Sequence, residues 1–336
     1  MLRVGVIGYG YWGPNLVRNF MESPHATVVA VSDFDERRLA VARTRYPTIE
    51  TTTDADAIIG SDDVDAIAIA TPVSSHYTLA MAALASGKHV WAEKPMAASV
   101  AEARSMVTAA AERGLTLHVD HTFVYTGAVM KMRELIDRGD LGELLYYDSA
   151  RVNLGLFQHD VSVIWDLAVH DLSILAYLQD ETPVRVSATG ISHIRGGQPD
   201  VAYLTAFYDS DFIAHVSVSW LAPVKIRQTL LGGSRKMVVY DDIEPSEKIR
   251  VYDKGITVAS DSAEARHETL VSYRTGDMWA PKLDATEALG AEVAHFAACI
   301  AGEQVQRTGG AAGLAVVQIL EAATRSMNGG GAPVGL

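Results

Sequence analysis

The sequence predicts an α/β protein that combines a doubly wound parallel sheet with a second, α+β domain whose open sheet is large and mostly antiparallel. Short apolar strands alternate with amphipathic helices from residue 2 to residue 119. Strand-like runs then follow one another between residues 184 and 252 with no helix between them. Strand–helix alternation produces parallel sheets, whereas consecutive strands pair antiparallel. A chain of 336 residues also has the length of two domains.

The first domain is predicted over residues 1–121. Its first strand, Leu2–Ile7, leads through a glycine-rich turn into a helix that ends near Met21. Gly87 and Gly114 follow two later helices directly, at a position where glycine commonly ends a helix. The remaining predicted strands are residues 27–32, 65–70, 88–92 and 115–119, and the remaining helices are residues 35–45, 74–86 and 99–113.

The second domain is predicted over residues 122–326, because strands clustered after helices are typical of α+β domains. The last residues, 327–336, are rich in glycine and proline, which predicts a flexible tail. The predicted helices are residues 126–138, 166–178, 285–301 and 310–326, and the predicted strands are residues 144–152, 184–194, 202–208, 212–220, 226–232, 236–240 and 249–252.

Composition excludes several classes of partner. A net charge of −13 argues against nucleic acid, which requires a basic face. No apolar run approaches the roughly 18 residues of a membrane span, so we expect no membrane partner. The single cysteine, Cys299, excludes an internal disulfide and fits a reducing compartment. We therefore expect a cytoplasmic enzyme with a small-molecule substrate.

The turn Gly8-Tyr-Gly-Tyr-Trp-Gly13 has the spacing G-x-G-x-x-G and stands between a predicted strand and a predicted helix. In such a turn the first glycine allows the tight bend, and the second, Gly10, lets the backbone approach a pyrophosphate. The third lets helix and strand pack closely. The pyrophosphate then lies on the N-terminus of the helix. This context predicts a Rossmann domain that binds a dinucleotide.

Asp33 follows the second strand, 20 residues after Gly13. An acidic residue at about this distance commonly binds the ribose hydroxyls, and it would repel a 2′-phosphate, which favours NAD over NADP. The alternative is that Asp33 only forms a turn or caps a helix. Arg37 and Arg38 keep NADP open, because an arginine can accommodate the extra phosphate.

Two further patterns carry candidate chemistry. Glu93-Lys94-Pro95 ends a strand, and ligands gather at the carboxyl ends of strands in open parallel sheets. Asp166 and His170 are four residues apart, which on a helix places them on one face. A histidine oriented by a carboxylate can accept the proton of an alcohol. The alternatives are an exposed lysine, a helix-capping aspartate and a core histidine.

Together with Ala70-Thr-Pro-x-x-x-His76, these patterns resemble the Gfo/Idh/MocA oxidoreductases over nearly the whole chain. The resemblance implies oxidation or reduction at a carbon of a sugar or cyclitol, with the substrate between the domains. It implies that Lys94 and His170 flank the reacting oxygen and that Asp166 contacts the substrate or His170. By position, it implies cofactor contacts from Gly8, Gly10, Tyr11, Trp12, Gly13, Asp33, Thr71, Pro72, His76, Glu93 and Lys94.

The substrate class follows from two further segments. Many members of the family carry arginine where this chain has Asp120–Tyr125, so its substrate contacts differ there. The stretch from Arg151 to Gln158 is similar to a subgroup that accompanies polysaccharide and natural-product genes, which implies a sugar nucleotide, glycoside or aminoglycoside modified at C3. The predicted substrate contacts are Lys94, Tyr125, Arg151, Asn153, Asp166 and His170, and an acidic pocket of Asp120, Asp148, Asp160 and Asp166 would suit an amino sugar.

Other interpretations remain open. His121, His159, Asp160 and His193 lack the spacing of metal ligands, so no metal is predicted. An inositol-type dehydrogenase of free cyclitols is one rival function. A non-catalytic NAD-binding regulator is another, although such a protein would not need the Lys94, Asp166 and His170 set. Lys94 competes with His170 as the proton acceptor. Since few helices are available to cover the second sheet, we also expect a homodimer or homotetramer formed through it.

Overall fold

Six parallel strands form the sheet predicted for the N-terminal part, in the order β3-β2-β1-β4-β5-β6. The structure is a computed structural model, and it describes residues 1–155, 161–194, 197–258 and 271–336. The elements of this part are β1 Leu2–Ile7, α1 Gly13–Glu22, β2 Ala26–Ser32, α2 Glu36–Arg45, β3 Glu50–Thr52, α3 Ala55–Ile59, β4 Ala66–Ile69, α4 Val73–Ala85, β5 His89–Ala92, α5 Val100–Arg113 and β6 Leu117–Val119.

The described remainder of the chain contributes a nine-stranded sheet, a two-stranded sheet and four α-helices. These elements are α6 Gly127–Asp137, β7 Leu144–Leu154, α7 Val169–Leu178, β8 Arg185–Ile191, β9 Val201–Phe207, β10 Ile213–Ser219, β11 Leu221–Gly233, β12 Met237–Asp241, β13 Ile249–Tyr252, β14 Gly255–Val258, β15 Val271–Arg274, β16 Met278–Trp279, α8 Ala288–Ile300, α9 Gly310–Asn328 and β17 Val334–Gly335. The predicted fold class is confirmed.

The parallel sheet is buried on both faces, as its apolar strands predict. All four residues of β4 are fully buried, and so are Val4 and Val6 of β1. Two short elements between β1 and β6 were not predicted. The strand β3 has only three residues, and α3 has five, with Asp54 capping its N-terminus through bonds to Asp56 N and Ala57 N. Elements this short carry too few apolar residues to show a period in the sequence.

The chain divides into two compact units that are not consecutive in sequence. The first unit comprises Met1–Thr126, Leu172–Tyr177 and Ala285–Glu321, and the second comprises Gly127–Asp171, Leu178–Asp284 and Ala322–Leu336. The predicted second domain, residues 122–326, is therefore corrected, since α8 belongs to the first unit.

The aromatic core of the first unit explains why α8 belongs there. Phe296 of α8 packs edge-on against Phe20 of α1 and Trp91 of β5, with ring centroids 6.4 and 5.4 Å away. All three side chains are fully buried. A helix with this apolar face can bury it only against the helix and sheet of the first unit.

The nine-stranded sheet of the second unit has the order β16-β13-β12-β11-β7-β10-β9-β8-β17. Only β7 and β10 pair in parallel, so the sheet is mostly antiparallel, as predicted. Its strands alternate between a buried and an exposed face. On β7, Tyr147, Ser149 and Arg151 are buried, whereas Tyr146 and Asp148 are exposed. One face of the sheet therefore remains open over several strands.

The C-terminal residues extend this sheet, and the flexibility of residues 327–336 stays a prediction. Val334 of β17 pairs with Val186 of β8 and extends the sheet by one edge strand. The Ser326 hydroxyl donates to the Ala332 carbonyl at 2.6 Å, which fixes the turn after α9. Backbone pairing at an edge requires no apolar side chain, and for this reason the composition of the tail did not predict it.

The helix that carries Asp166 and His170 also differs from the prediction. Residues Ile164–Ala168 form a π-helix, and the α-helix α7 begins only at Val169. A π-turn closes its hydrogen bond at five residues rather than four, so Asp166 and His170 are not stacked as in a regular α-helix. Short π-helices inside α-helices occur frequently at functional sites.

Candidate active site

The glycine-rich turn has the geometry that its sequence requires. Gly8 has a φ of +99°, and a Cβ there would lie 2.5 Å from the Ala70 carbonyl oxygen. A Cβ on Gly13 would lie 2.2 Å from the Gly8 carbonyl oxygen, so both positions exclude any side chain. At Gly10 a Cβ would meet only the end of the Arg38 side chain, at 3.5 Å. The surface in front of Gly10 is therefore open to a ligand.

The N-terminus of α1 suits a pyrophosphate. Trp12 is the N-cap residue and provides no side-chain cap, and Pro14 lies in the first turn. No acidic residue occupies that turn, so no carboxylate of the helix itself competes for its N–H groups and for the positive end of its dipole. Tyr11, beside it, is 86% exposed. The turn and the helix together fit the dinucleotide that the sequence predicts.

Asp33 is buried and accepts hydrogen bonds from backbone and side chain. Its Oδ2 accepts from Tyr9 N at 2.7 Å and from Arg38 Nη1 at 3.3 Å, and its Oδ1 accepts from Asp35 N at 2.8 Å. The cap of α2 is Asp35, so the interpretation of Asp33 as the helix cap is wrong, whereas the turn interpretation describes one of its bonds. Binding of the ribose by Asp33 stays a prediction.

His76 joins two loops at the carboxyl edge of the sheet. One ring nitrogen, Nδ1, lies 3.0 Å from the Pro95 carbonyl oxygen, and Nε2 lies 2.8 Å from the Thr71 carbonyl oxygen. The ring is 1% exposed, and burial lowers its pKa. His76 thus fixes the backbone around Pro72 and Lys94, a role that supports a cofactor site without requiring direct contact.

Lys94 is half-buried and follows Glu93 at the end of β5, and the Lys94–Pro95 peptide is cis. Its position at the carboxyl edge of the parallel sheet agrees with the prediction that it belongs to the cofactor half of the site.

Three carboxyl groups are buried together beside this edge. Glu93 and Asp120 follow the neighbouring strands β5 and β6 directly, and the Asp120 N–H donates to the Ala92 carbonyl at 2.9 Å. Glu292 approaches them from α8, with its side chain fully buried. Burial and the nearby Asp120 raise the pKa of Glu93 and of Glu292 well above its usual range. We name Glu93, Asp120 and Glu292 the carboxyl cluster.

Asp120 is the member of the carboxyl cluster that the surrounding donors keep ionised. The Trp12 indole Nε1 donates to its Oδ2 at 2.8 Å, and the Thr122 hydroxyl donates to its Oδ1. Burial opposes ionisation, but the hydrogen bonds from Glu93, Thr122 and Trp12 together hold the pKa of Asp120 below its usual value. A carboxylate that accepts several hydrogen bonds favours its charged form.

Two buried histidines flank the carboxyl cluster. His118 stacks on Trp91 and places its Nε2 3.0 Å from Glu292 Oε1, and burial lowers its pKa to about 3. Burial lowers the pKa of His121 to about 4, and neither of its ring nitrogens has a hydrogen-bond partner within the described residues. A buried group left unbonded costs about 1–3 kcal/mol, so His121 fits a site that a ligand completes.

The second unit positions the other predicted catalytic residues. Asp166 Oδ2 accepts from the Trp220 indole Nε1 at 3.0 Å, which orients the carboxylate. His170 is half-buried rather than buried, which argues against a purely structural core histidine. The next residue, Asp171, binds the Arg151 guanidinium through Nε at 2.6 Å, and both side chains are 3% exposed. Direct contact of Arg151 with a substrate stays a prediction.

The remaining predicted residues are divided between the two units. Asp148 lies on the exposed face of the second sheet and bonds to His215 Nδ1 at 3.1 Å, and Asp120 belongs to the carboxyl cluster. Tyr125 is 3% exposed, and its hydroxyl meets Thr308 Oγ1 at 3.0 Å. Asn153 is half-buried at the end of β7. His159 and Asp160, with the stretch from Leu156 to Gln158, lie outside the described residues. The convergence of Asp120, Asp148, Asp160 and Asp166 stays a prediction.

Sequence reasoning missed the contributions of His118 and Glu292. They are 174 residues apart, and only the packing of α8 on the first unit brings them together. The signal in the sequence is weak: a single glutamate in the apolar run Leu289–Ile300, where a lone charge has to be either exposed or paired.

Comparison with known proteins decides the family. The profile described as an oxidoreductase family with an NAD-binding Rossmann fold matches residues 2–121, and that of the GFO/IDH/MocA C-terminal domain matches residues 129–239. The chain belongs to the Gfo/Idh/MocA family. As a member of this family it is an oxidoreductase, and the resemblance seen in its motifs is confirmed.

Several members of the Gfo/Idh/MocA family with known or assigned substrates are similar to this chain. The UDP-N-acetylglucosamine 3-dehydrogenase of Acidithiobacillus ferrooxidans is 26% identical, and the match covers 90% of this chain and 94% of that protein. An inositol 2-dehydrogenase of Klebsiella pneumoniae is 32% identical over 60% of this chain and 62% of its own length. The chain spans only 53% of an uncharacterized oxidoreductase from Streptococcus pneumoniae, at 30% identity.

The fold is also that of a solved enzyme with bound cofactor. GenD2 from gentamicin A biosynthesis, in complex with NAD, superimposes with a TM-score of 0.82 at 23% identity, over 100% of this chain and 96% of that one. The family model that matches residues 2–121 describes an NAD-binding Rossmann fold, and NAD is the cofactor of this domain. The residues that would hold it are those of the glycine-rich turn, the N-terminus of α1 and Asp33. When bound, NAD would accept the hydride in the oxidation or, as NADH, donate it in the reduction.

Among the described residues, no helix is both long and apolar enough to cross a membrane.

Proposed function

We propose that this chain is an NAD-dependent dehydrogenase that acts on a secondary hydroxyl, at C3, of a sugar unit in a sugar nucleotide, glycoside or aminoglycoside. The observation that carries the proposal is the similarity to the UDP-N-acetylglucosamine 3-dehydrogenase over nine tenths of both chains. The presence of Lys94, Asp166 and His170 in the family's order supports it.

In this proposal His170 accepts the proton of the substrate hydroxyl and returns it in the reverse direction. Lys94 stabilises the negative charge that develops on the oxygen, because a preorganised cation in a water-excluded site stabilises an alkoxide more than water does. Asp166, oriented by Trp220, contacts the substrate or fixes the tautomer of His170. Lys94 as the proton acceptor is the rival assignment.

The non-catalytic regulator is disfavoured by the same residues. A protein that only senses NAD needs neither an oriented carboxylate at Asp166 nor a half-exposed imidazole at His170. The inositol-type dehydrogenase is the second candidate, and the 32% identity to the Klebsiella enzyme favours it over part of the chain.

The test is a substrate panel with NAD as the oxidant. UDP-N-acetylglucosamine, UDP-glucose, a methyl glycoside, a 2-deoxystreptamine aminoglycoside and myo-inositol are incubated with the full chain, and NADH formation is recorded. We expect oxidation of a linked sugar, with the product carbonyl at C3 by NMR. Turnover of myo-inositol alone would establish the second candidate, and no turnover of any polyol would contradict both.

A further inference from the structure

The dinucleotide has a defined direction across the first unit. Asp33 follows β2, on one side of the glycine-rich turn, and it is the predicted ligand of the adenosine ribose. In the strand order β3-β2-β1-β4-β5-β6, the strands β4, β5 and β6 lie on the other side of that turn. A dinucleotide that lies across the turn therefore has its nicotinamide near the carboxyl ends of β5 and β6. Lys94 comes shortly after β5, and Asp120 comes directly after β6.

The positive charge at the carboxyl ends of β5 and β6 differs between the oxidised and the reduced cofactor. Lys94 contributes a cation, and the oxidised nicotinamide ring is itself a cation, whereas the reduced ring is neutral. Two cations repel each other at a half-buried position such as that of Lys94, because a protein screens charge less than bulk water does. A buried anion nearby would offset the repulsion in the oxidised state alone.

The carboxyl cluster can supply that anion at one position. Burial and the nearby Asp120 raise the pKa of Glu93 and of Glu292, so the charged form is disfavoured at both of these carboxyl groups. Asp120 is the member that receives bonds from the Trp12 indole, which belongs to the glycine-rich turn, and from Thr122. The two histidines beside it are held neutral by burial. The negative charge of the cluster is therefore favoured at Asp120, whose carboxylate accepts a hydrogen bond from Trp12 of the glycine-rich turn.

We propose that the Asp120 carboxylate offsets the positive charge of the oxidised nicotinamide. The affinity for NAD⁺, divided by the affinity for NADH, is then higher than it would be in the same site without that charge. His121, the next residue, supports a ligand at this edge, because both of its buried ring nitrogens have no partner within the described residues. The proposal rests on NAD as the cofactor and does not depend on which sugar the enzyme uses.

The test measures the dissociation constants of NAD⁺ and NADH separately by calorimetry, on the full chain without substrate. In Asp120→Asn the shape is kept and the charge is lost. We expect the Kd of NAD⁺ to rise about tenfold while that of NADH changes less than about threefold, because a unit charge in a partly screened interior changes the affinity for a cation more than that for a neutral ring.

Two controls separate charge from structure. Glu292→Gln replaces a carboxyl group whose charged form burial disfavours by a neutral group of the same shape, and it should leave the ratio of the two constants unchanged. Asp65 immediately precedes β4, at the amino end of the strands, and its carboxylate pairs with Arg3. Asp65→Asn removes that carboxylate and should also leave the ratio of the two constants unchanged. If Asp120→Asn does not fold by circular dichroism, Asp120→Gly makes the same prediction.

A folded Asp120 variant whose two constants keep the native ratio would overturn the proposal, and so would an equal loss of affinity for both forms. Since no sugar is present, a failure of the proposed function in the substrate panel would leave this measurement unaffected.

Discussion

The guanidinium of Arg151, on β7, and the carboxylate of Asp171, on α7, form an ion pair that is almost completely buried, with 3% of each side chain exposed. The pair joins the second sheet to the helix that carries His170, one residue before Asp171. A buried pair of this kind contributes little net stability, but loss of one partner leaves an uncompensated charge. The Arg151–Asp171 pair therefore determines the position of α7 against β7 more than it adds to the free energy of unfolding.

This geometry predicts the effect of Arg151→Met. We expect the free energy of unfolding to fall by about 3–5 kcal/mol, because Asp171 is left buried without its partner. The double variant Arg151→Met/Asp171→Leu should recover most of that loss, as measured by urea unfolding. If Arg151 instead contacts the substrate, the double variant would remain stable while its KM for the sugar rises sharply. Full stability in the single variant would contradict the structural role.

Asp33 predicts the choice between the two nicotinamide cofactors. Its carboxylate binds Arg38 at 3.3 Å, so Asp33→Ser would both remove the negative charge and release a half-exposed arginine for a 2′-phosphate. We expect the preference for NAD over NADP to narrow or reverse in this variant, as measured by the Kd of each cofactor.

Arg37→Ser is the matched control for Asp33, because Arg37 pairs with Asp35 and not with Asp33. It should leave the cofactor preference as it is. Native protein that binds NADP at least as tightly as NAD would show that this account of Asp33 is wrong.

The sequence predicted the elements that bury apolar surface and missed those that depend on distant partners. Period and glycine placement identified β1, α1 and the end of α5, where Gly114 is left-handed with a φ of +63°. The joining of α8 to the first unit and the pairing of β17 with β8 depend on contacts between residues far apart in the chain. No local pattern encodes such contacts.

The candidate site also contains features that a local sequence pattern predicts and features that depend on contacts between distant residues. The glycine-rich turn and Asp33 are recognisable because their spacing along the chain is itself the requirement. The carboxyl cluster is not, because Glu292 meets Asp120 only through packing, and Asp120 raises the pKa of both Glu93 and Glu292. A π-helix before α7 could not be predicted either, since it differs from an α-helix by a single extra residue in the turn.

The open face of the second sheet predicts assembly. Tyr203 and Ile213 lie on this face and are 50% and 43% exposed, on the neighbouring strands β9 and β10. An exposed apolar surface of this kind is commonly buried by a second copy of the chain. We expect a homodimer or homotetramer by light scattering at micromolar concentration, and dissociation in the double variant Tyr203→Glu/Ile213→Glu.

The control for this prediction is Val305→Glu, which places the same charge on an apolar side chain that is 89% exposed in the loop between α8 and α9. That variant should keep the native mass. A native protein that scatters light as a monomer would exclude assembly through the sheet.

The last prediction concerns Lys94 and His170. In the proposed mechanism both act on the reacting oxygen, and neither belongs to the glycine-rich turn or to the N-terminus of α1. Loss of a general acid–base group costs about 10²–10⁴-fold in rate, so we expect Lys94→Ala and His170→Ala each to lose kcat on that scale. The Kd of NAD should change far less in both. Steady-state kinetics beside a cofactor titration measures the two effects separately on the same preparations.

Asp166 and Trp220 extend this test to orientation. Asp166→Asn keeps the shape of the side chain that Trp220 holds at 3.0 Å, and we expect a smaller loss of kcat without loss of folding. Trp220→Phe removes that one hydrogen bond and should also lower kcat.

The pH profile identifies the base, because His170→Ala should abolish the acidic limb of kcat/KM only if the imidazole accepts the proton. An acidic limb that persists in His170→Ala and disappears in Lys94→Ala would transfer the role of base to Lys94, and near-normal turnover in either alanine variant would remove that residue from the mechanism.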